Sequence, residues 1–143
     1  MSESGLQRYT QFFEQLGLGT LGGLDSVMTD DVRFVDPFND VIGRAKVRLI
    51  FEHMFEQFPK ANFKVNHAAL TAGAKPVGLI SWQMNSTPEG QGYRIVGMSE
   101  VSFAEDGRVN LHIDHWDSGR QVYETLPLVG SLLRLIRKRL SVD

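Results

Sequence analysis

One acidic side chain stands where acid–base chemistry could occur: Asp36, which ends an apolar segment just before Pro37. Side chains alternate along a strand, so a strand here places Val32, Phe34 and Asp36 on one face. Burial beside apolar residues generally raises the pKa of a carboxyl group and suits it to proton transfer near neutral pH. We therefore expect Asp36 to face an apolar hollow. The alternative is ordinary turn chemistry, in which an aspartate before proline caps a turn.

A second set of polar residues recurs near the end of the sequence. His112, Asp114 and Trp116 occupy alternate positions of segment 109–116 and would project from one face of a strand. An imidazole, a carboxylate and an indole on one face can hold a ligand and move a proton. This face could instead be the solvated side of a half-buried strand, although an indole is costly to leave in water. Both interpretations stay open.

A third candidate is Ser99. In segment 93–103 the alternate positions are apolar except for Ser99 and Gly97, and a glycine there leaves room for a ligand or a bend. Ser99 is thus a polar side chain on an otherwise apolar strand face.

Several other chemistries are not predicted. The chain has no cysteine, which excludes disulfides, thiolate metal sites and cysteine nucleophiles. No metal site is expected from His112, Asp114 and His115, because His115 points to the opposite strand face. The sequence has neither a Gly-x-Ser-x-Gly elbow nor a His-Glu-x-x-His motif, and it predicts no cofactor.

The elements that must position these residues follow from hydrophobic periodicity. Helical spacing predicts a first helix that ends at Gly17, a short helix over residues 24–28 and a long helix over residues 44–58, stopped by Pro59. The pattern then becomes β, with four strands joined by short turns that imply antiparallel neighbours. Those strands are expected over residues 63–70, 77–84, 93–103 and 109–116. This order predicts an α+β fold with a curved antiparallel sheet wrapped around the N-terminal helices.

Length and composition are those of an ordinary globular protein. We expect one domain over residues 1–143, because this length encloses one core and one pocket. With 42% hydrophobic and 22% charged residues, and without a signal-peptide pattern, a cytoplasmic location is expected. Residues 1–129 carry a net charge of −5 and residues 130–143 one of +3. The body therefore offers no broad basic surface for nucleic acid.

The C-terminal segment predicts a basic amphipathic helix. Its leucines alternate with arginines and a lysine between residues 132 and 140. We expect the leucines to pack on the chain's own domain or on a dimer mate, with the arginines directed to solvent. Contact with a membrane surface is the less favoured alternative, because one short helix without a lipid anchor binds membranes weakly.

The chain resembles the nuclear transport factor 2-like superfamily, in its SnoaL-like and ketosteroid-isomerase-like branch. The resemblance covers nearly the whole length and rests on three parts of the sequence. They are Gln7-Arg8-Tyr9, Val35-Asp36-Pro37 followed by Gly43-Arg44, and His112-Ile113-Asp114-His115-Trp116-Asp117. It implies a cone formed by a strongly bent antiparallel sheet around helices, with a pocket at the open end, and it implies a homodimer.

The resemblance also implies roles for individual residues. In ketosteroid isomerases an aspartate moves a proton beside a carbonyl group, and here Asp36 matches that position, with Tyr9 and Ser99 as donors to the oxygen. Efficient steroid isomerisation is not expected, because Ser99 stands where those enzymes have a carboxylic acid. In the polyketide cyclases and epoxide hydrolases the catalytic carboxylate lies on the last strand, where Asp114 matches. Epoxide hydrolysis is not expected, since segment 79–83 lacks the Arg-x-Asp pair.

These expectations define a pocket protein that acts on a small, mostly apolar, carbonyl-containing molecule by isomerisation or cyclisation. The expected catalytic residues are Asp36, Tyr9, Asp114 and His112. The expected ligand contacts are Ser99, Trp116, Phe34, Phe13 and Trp82. The alternative is a non-catalytic ligand-binding or dimeric assembly module of the same fold, because fold alone does not decide function.

Overall fold

The computed structural model describes residues 2–88 and 92–143. Within these two ranges, five α-helices and six strands follow one another. The helices are α1 (Ser2–Glu14), α2 (Leu24–Val27), α3 (Arg44–Gln57), α4 (Ser118–Gln121) and α5 (Val129–Leu140). The strands are β1 (Met28–Val35), β2 (Asp40–Ile42), β3 (Asn62–Leu70), β4 (Gly78–Asn85), β5 (Arg94–Phe103) and β6 (Val109–His115). The predicted α+β class, the long helix and the four later strands are confirmed.

The six strands form one sheet in the order β2-β1-β6-β5-β4-β3. Strands β3 to β6 pair antiparallel with their sequence neighbours, as the short turns predicted. Strand β1 lies parallel to β6, and the short β2 adds to its free edge. The sequence did not predict β2, because three residues are too few to show a period.

The core lies between the sheet and the helices α1 and α3. Helix α1 packs on β3, and α3 packs on β1. From α3, the side chains of Val47, Phe51 and Phe55 are buried, which is the apolar stripe that its sequence predicted. Strand β1 buries Val32 and Phe34 on the same side.

The first side chain of α3, Arg44, is bonded to the segment that leads into β1. The guanidinium of Arg44 forms ion pairs with Asp25 and Asp30, both at 2.8 Å, and donates to the carbonyl oxygen of Met28. Gly43 precedes it with a φ of 112°, a backbone conformation that favours glycine. These contacts fix the long helix against the start of β1.

The C-terminal helix leaves most of its apolar side exposed instead of packing it on its own domain, and the expected packing on a dimer mate stays a prediction. A 3-10 helix over Tyr123–Thr125 leads to a γ-turn at Leu128, closed by the 2.7 Å hydrogen bond from the Val129 N–H to the Pro127 carbonyl. Helix α5 then contacts the rest of the chain mainly at that 3-10 helix. Its Leu132, Leu135 and Leu140 are exposed, and Leu133 is half-buried. No helix in the described ranges is both long enough and apolar enough to cross a membrane.

Candidate active site

A small cavity lies between α1, α3 and the inner face of the sheet. It offers about 40 Å³ to the centres of water-sized molecules, which is room for a few waters or a small organic group. The residues that line it are Thr10, Phe13, Phe51, Phe63, Val65, Ile80, Trp82, Ser99, His112 and Asp114. Its walls are therefore mostly apolar, and its ionisable side chains are an imidazole and one carboxylate.

Three polar side chains of the cavity, those of Ser99, His112 and Asp114, belong to one hydrogen-bonded chain. The Tyr9 hydroxyl lies 2.7 Å from Nδ1 of His112, and Nε2 of His112 lies 2.6 Å from Oδ1 of Asp114. Among the described residues the Tyr9 hydroxyl has His112 as its only acceptor, so Nδ1 accepts that proton. His112 then carries its own proton on Nε2 and donates it to the carboxylate.

The same carboxylate oxygen is reached from the other side by Ser99. The indole Nε1–H of Trp82 can only donate, and it lies 2.8 Å from Oγ of Ser99. The serine proton therefore points to Oδ1 of Asp114, 2.5 Å away. Both donors meet on Oδ1, whereas Oδ2 of Asp114 receives no hydrogen bond from the described residues. Oδ2 is thus the oxygen left without a partner, and because no buried side-chain oxygen of the described residues lacks one, Oδ2 is reached by solvent; the Asp114 side chain is 14% exposed.

A bulge in β6 turns the two key residues inward. Val109 pairs with Phe103 and Leu111 pairs with Ser102, which leaves Asn110 as an extra residue between them. Beyond the bulge the alternation is reversed, so His112 faces the interior although Val109 is also buried. Asp114 follows two positions later on the same face. Strict alternation over the whole strand could not have given this arrangement.

Aromatic rings hold the imidazole in place. The ring of Phe34 stacks on His112 with centroids 4.5 Å apart and an interplanar angle of 16°. Phe13 and Tyr9 contact the same ring at centroid distances of 6.0 and 5.8 Å. Burial, and to a lesser degree the negative charge of Asp114, raises the pKa of the Tyr9 hydroxyl well above its usual value. Tyr9 therefore stays protonated and keeps donating to His112.

Asp36 does not occupy the place expected for it. It lies just beyond the end of β1, half-buried, and its Oδ1 accepts from the backbone N–H groups of Phe38 and Asn39, both at 2.7 Å. The Asn39 amide also contacts both carboxylate oxygens at 3.1 Å. Asp36 is not among the described residues that line the cavity. The turn interpretation accounts for all of these contacts, since a short polar side chain closes its own turn.

The other predicted residues divide into two groups. Phe13, Trp82, Ser99, His112 and Asp114 line the cavity, as expected of pocket residues, and Tyr9 and Phe34 stand behind His112. Trp116 does not line the cavity. Its ring packs against the ring of Phe38 in an edge-to-face arrangement, with the ring centroids 5.5 Å apart. His115 points to the outer face and lies 2.9 Å from Glu100.

The sequence did not single out Thr10, Phe51, Phe63, Val65 and Ile80 as cavity residues. Phe51 belongs to the apolar stripe of α3, and Phe63 and Val65 alternate along β3. Periodicity shows that such residues face inward, but it gives no signal that separates a cavity wall from a packed core.

The fold and the cavity are those of a known domain family. The family model described as the SnoaL-like domain matches residues 9–112, and the chain belongs to this family. No curated protein matches the chain significantly.

Solved structures with the same fold include three of particular interest. A proposed isomerase of the SnoaL-like family from Agrobacterium tumefaciens is 19% identical, with a TM-score of 0.64 over 81% of this chain and 97% of its own. A proposed polyketide cyclase from Xanthomonas campestris is 15% identical, with a TM-score of 0.59 over 83% and 92%. An LEH-like epoxide hydrolase from M. tuberculosis is 15% identical, with a TM-score of 0.61 over 95% and 94%. At these identities the likeness concerns the fold.

Proposed function

We propose that the chain binds a small, mostly apolar carbonyl compound in the cavity and that Asp114 moves a proton at the carbon beside the carbonyl group. The observation that carries this proposal is the convergence of two donors on Oδ1 of Asp114, which leaves Oδ2 unbonded by the described residues. A fixed carboxylate in an apolar cavity is the arrangement that general-base catalysis needs.

The step is a proton transfer. Oδ2 of Asp114 takes the proton from the α-carbon, the C–H electron pair moves into the carbonyl group, and an enolate forms. In an isomerisation the protonated Asp114 returns the proton to a different carbon of the same molecule. In a cyclisation the enolate carbon instead forms a bond to a second carbonyl carbon, and Asp114 gives its proton to the resulting alkoxide.

The neighbours of Asp114 support the enolate electrostatically. The total charge of the cavity does not change during the transfer, because Asp114 loses its charge as the enolate gains one. The Ser99 hydroxyl can then rotate from Oδ1 to the enolate oxygen while it still accepts from Trp82. His112 is a positioning residue, held by Tyr9 on one side and holding Oδ1 on the other.

The size of the cavity limits the substrate. The cavity volume of about 40 Å³ admits a small ring or a short chain. Sites that bind drug-sized molecules typically have volumes of roughly 300–1,000 Å³. A larger substrate requires the aromatic side chains of the wall to move. Structures with this fold include a proposed isomerase and a proposed polyketide cyclase, and an enolate of the kind described here would serve an isomerisation or a cyclisation.

Hydrogen exchange in a simple ketone tests the proposal. The protein is incubated with cyclohexanone in D₂O, and loss of the α-hydrogen signals is followed by proton NMR. We expect the wild-type protein to accelerate the exchange and Asp114→Asn to abolish the acceleration while the fold is retained. If no ketone in a panel of small cyclic and linear ketones exchanges faster with the protein than without it, the enzymatic proposal fails.

A second candidate is a non-catalytic binding module. It is favoured by one observation: among the described residues, no buried side-chain nitrogen or oxygen lacks a hydrogen-bond partner. A polar cluster that only stabilises the fold needs the same property. In that case a ketone would shift the NMR signal of the Trp82 indole N–H without exchanging its α-hydrogens.

A further inference from the structure

We propose that α5 is a lipid-binding helix that lies on the surface of an anionic bilayer. The apolar stripe consists of Val129, Leu132, Leu135, Ile136 and Leu140, which recur at helical spacing along one side. Of these side chains, Leu132 is 57% exposed and Leu140 is 82% exposed. This inference goes beyond the proposed function and does not depend on it.

The helix is docked by its polar side. The Arg137 guanidinium donates from Nε to both oxygens of Glu124, at 2.9 and 3.1 Å, and Glu124 is buried. The guanidinium of Arg134 donates to the carbonyl oxygen of Glu124. Gly130 lies against the same carbonyl group, where a Cβ atom would overlap it. Because these contacts hold the polar side, the apolar stripe points away from the domain.

The helix cannot bury the apolar stripe on its own domain without losing these contacts. A roll of about half a turn would expose Glu124 and leave its carboxylate without the arginine. The stripe is also extended towards the start of the helix by Leu126 and Leu128, which are exposed. A continuous apolar surface of this kind on a protein marks a docking surface.

The positive charge of α5 favours an anionic partner. Helix α5 contains four basic residues and no acidic one. Lys138 and Arg139 form no ion pair with the described residues, so they remain for a partner. Arg139 lies on the apolar side of the helix, between Leu132 and Leu135 around the helix axis, so a second copy packed stripe to stripe would meet this positive charge without an acidic residue of α5 to pair with it. An anionic lipid surface instead offers acyl chains to the leucines and phosphate groups to the cations.

The length of α5 sets the strength of binding. Twelve residues extend about 18 Å, so the helix can lie in the interface but cannot cross the bilayer. One helix of this size binds reversibly and depends on lipid charge. We therefore expect binding to anionic vesicles that weakens as salt is added.

Vesicle co-sedimentation tests this proposal with the full chain. The vesicles are pure phosphatidylcholine or phosphatidylcholine mixed with phosphatidylglycerol. The double variant Leu132→Gln, Ile136→Gln removes apolar area from the stripe, and Lys138→Gln, Arg139→Gln removes two free cations. The matched control is Ile42→Gln, Leu49→Gln, which changes two exposed apolar residues elsewhere.

We expect the wild-type protein to sediment with the anionic vesicles and not with the neutral ones. Each helix variant should lower the partition coefficient about tenfold or more, and the control should leave it unchanged. Circular dichroism confirms that each variant keeps its helices. Wild-type binding that is absent, equal on both vesicles or unchanged by the stripe variant would overturn the proposal. A wild-type dimer that the stripe variant dissociates, without vesicle binding, would assign the stripe to a second copy and overturn it as well.

Discussion

Nε2 of His112 lies 2.6 Å from Oδ1 of Asp114, two positions along the same strand. Side chains two residues apart stand on the same face, and the bulge at Asn110 turns that face towards the cavity. The imidazole therefore fixes the carboxylate from within one strand, and Tyr9 on α1 fixes the imidazole.

Tyr9→Phe should destabilise the protein without changing its fold. The substitution removes the hydroxyl and leaves the buried Nδ1 of His112 without its donor, which typically costs about 1–3 kcal/mol. Urea denaturation measures the free energy of unfolding. The matched control is Tyr123→Phe, because that ring is partly exposed and its loss should cost little. An equal cost for both variants would contradict the buried network.

The burial of Tyr9 against His112 predicts that the stability of the protein decreases at alkaline pH. In the unfolded chain the Tyr9 hydroxyl ionises near its ordinary pKa of 10.0, whereas burial raises its pKa in the folded protein well above that value. The native state then binds more protons than the unfolded state, so the stabilisation is complete below about pH 10 and is lost as pH rises towards the folded pKa. Wild-type stability should fall more steeply there than that of Tyr9→Phe, by up to about 1.4 kcal/mol per pH unit. Parallel curves would contradict the shift.

Gly97→Ala should displace the indole of Trp82. A Cβ atom at position 97 would lie 2.7 Å from that ring and 2.9 Å from the Cβ of Trp116. Such overpacking typically costs about 1–3 kcal/mol, and it should break the hydrogen bond from Trp82 to Ser99. Tryptophan fluorescence and urea denaturation report both effects. Met98→Ala, on the exposed face of the same strand, is the control and should change neither.

Gly130→Ala should release α5 from the domain although alanine favours helices by about 1 kcal/mol over glycine. The added Cβ would overlap the Glu124 carbonyl group and push apart the contact that docks the helix. Hydrogen–deuterium exchange over residues 123–140 should therefore become faster, while the sheet stays protected. Leu135→Ala, on the exposed apolar side of the same helix, should not have this effect. Unchanged protection after Gly130→Ala would contradict the docking by the polar side.

Much of the fold could be predicted from the sequence, because its signals are local. The stripe of α3 and the alternation in β5 show which side faces inward, and the order of elements predicts the class. Strand β2 and the parallel pairing of β1 with β6 could not be predicted, since β2 is short and the pairing joins residues about 80 positions apart.

The candidate site could be predicted only in part. Alternation predicted that His112 and Asp114 share a strand face but left open whether that face points inward, and it set Ser99 on an otherwise apolar face. The position of Asp36 outside the cavity was not predicted. Strand β1, whose alternation buries Phe34, ends at Val35, and the next residue, Asp36, caps a turn. The orientation of α5 also depends on the burial of Glu124, which has no signature in the sequence of the helix.

Asp36→Ala should affect stability rather than chemistry. The carboxylate accepts from two backbone N–H groups of its own turn, and the loss of such a cap typically costs about 0.5–2 kcal/mol. Asp36→Asn retains an acceptor oxygen and should cost less. Thermal unfolding of the two variants checks this order, and the reverse order would contradict the capping role.

The most direct test of the account compares Asp114→Asn with Asp36→Asn in the exchange of ketone α-hydrogens in D₂O. Each substitution replaces one carboxylate with an amide of the same size. The two variants therefore differ only in which acidic side chain is lost. We expect Asp114→Asn to lower the exchange rate by about a hundredfold or more and Asp36→Asn to retain most of it. Loss of exchange with Asp36→Asn and survival with Asp114→Asn would contradict the assignment of Asp114 as the base.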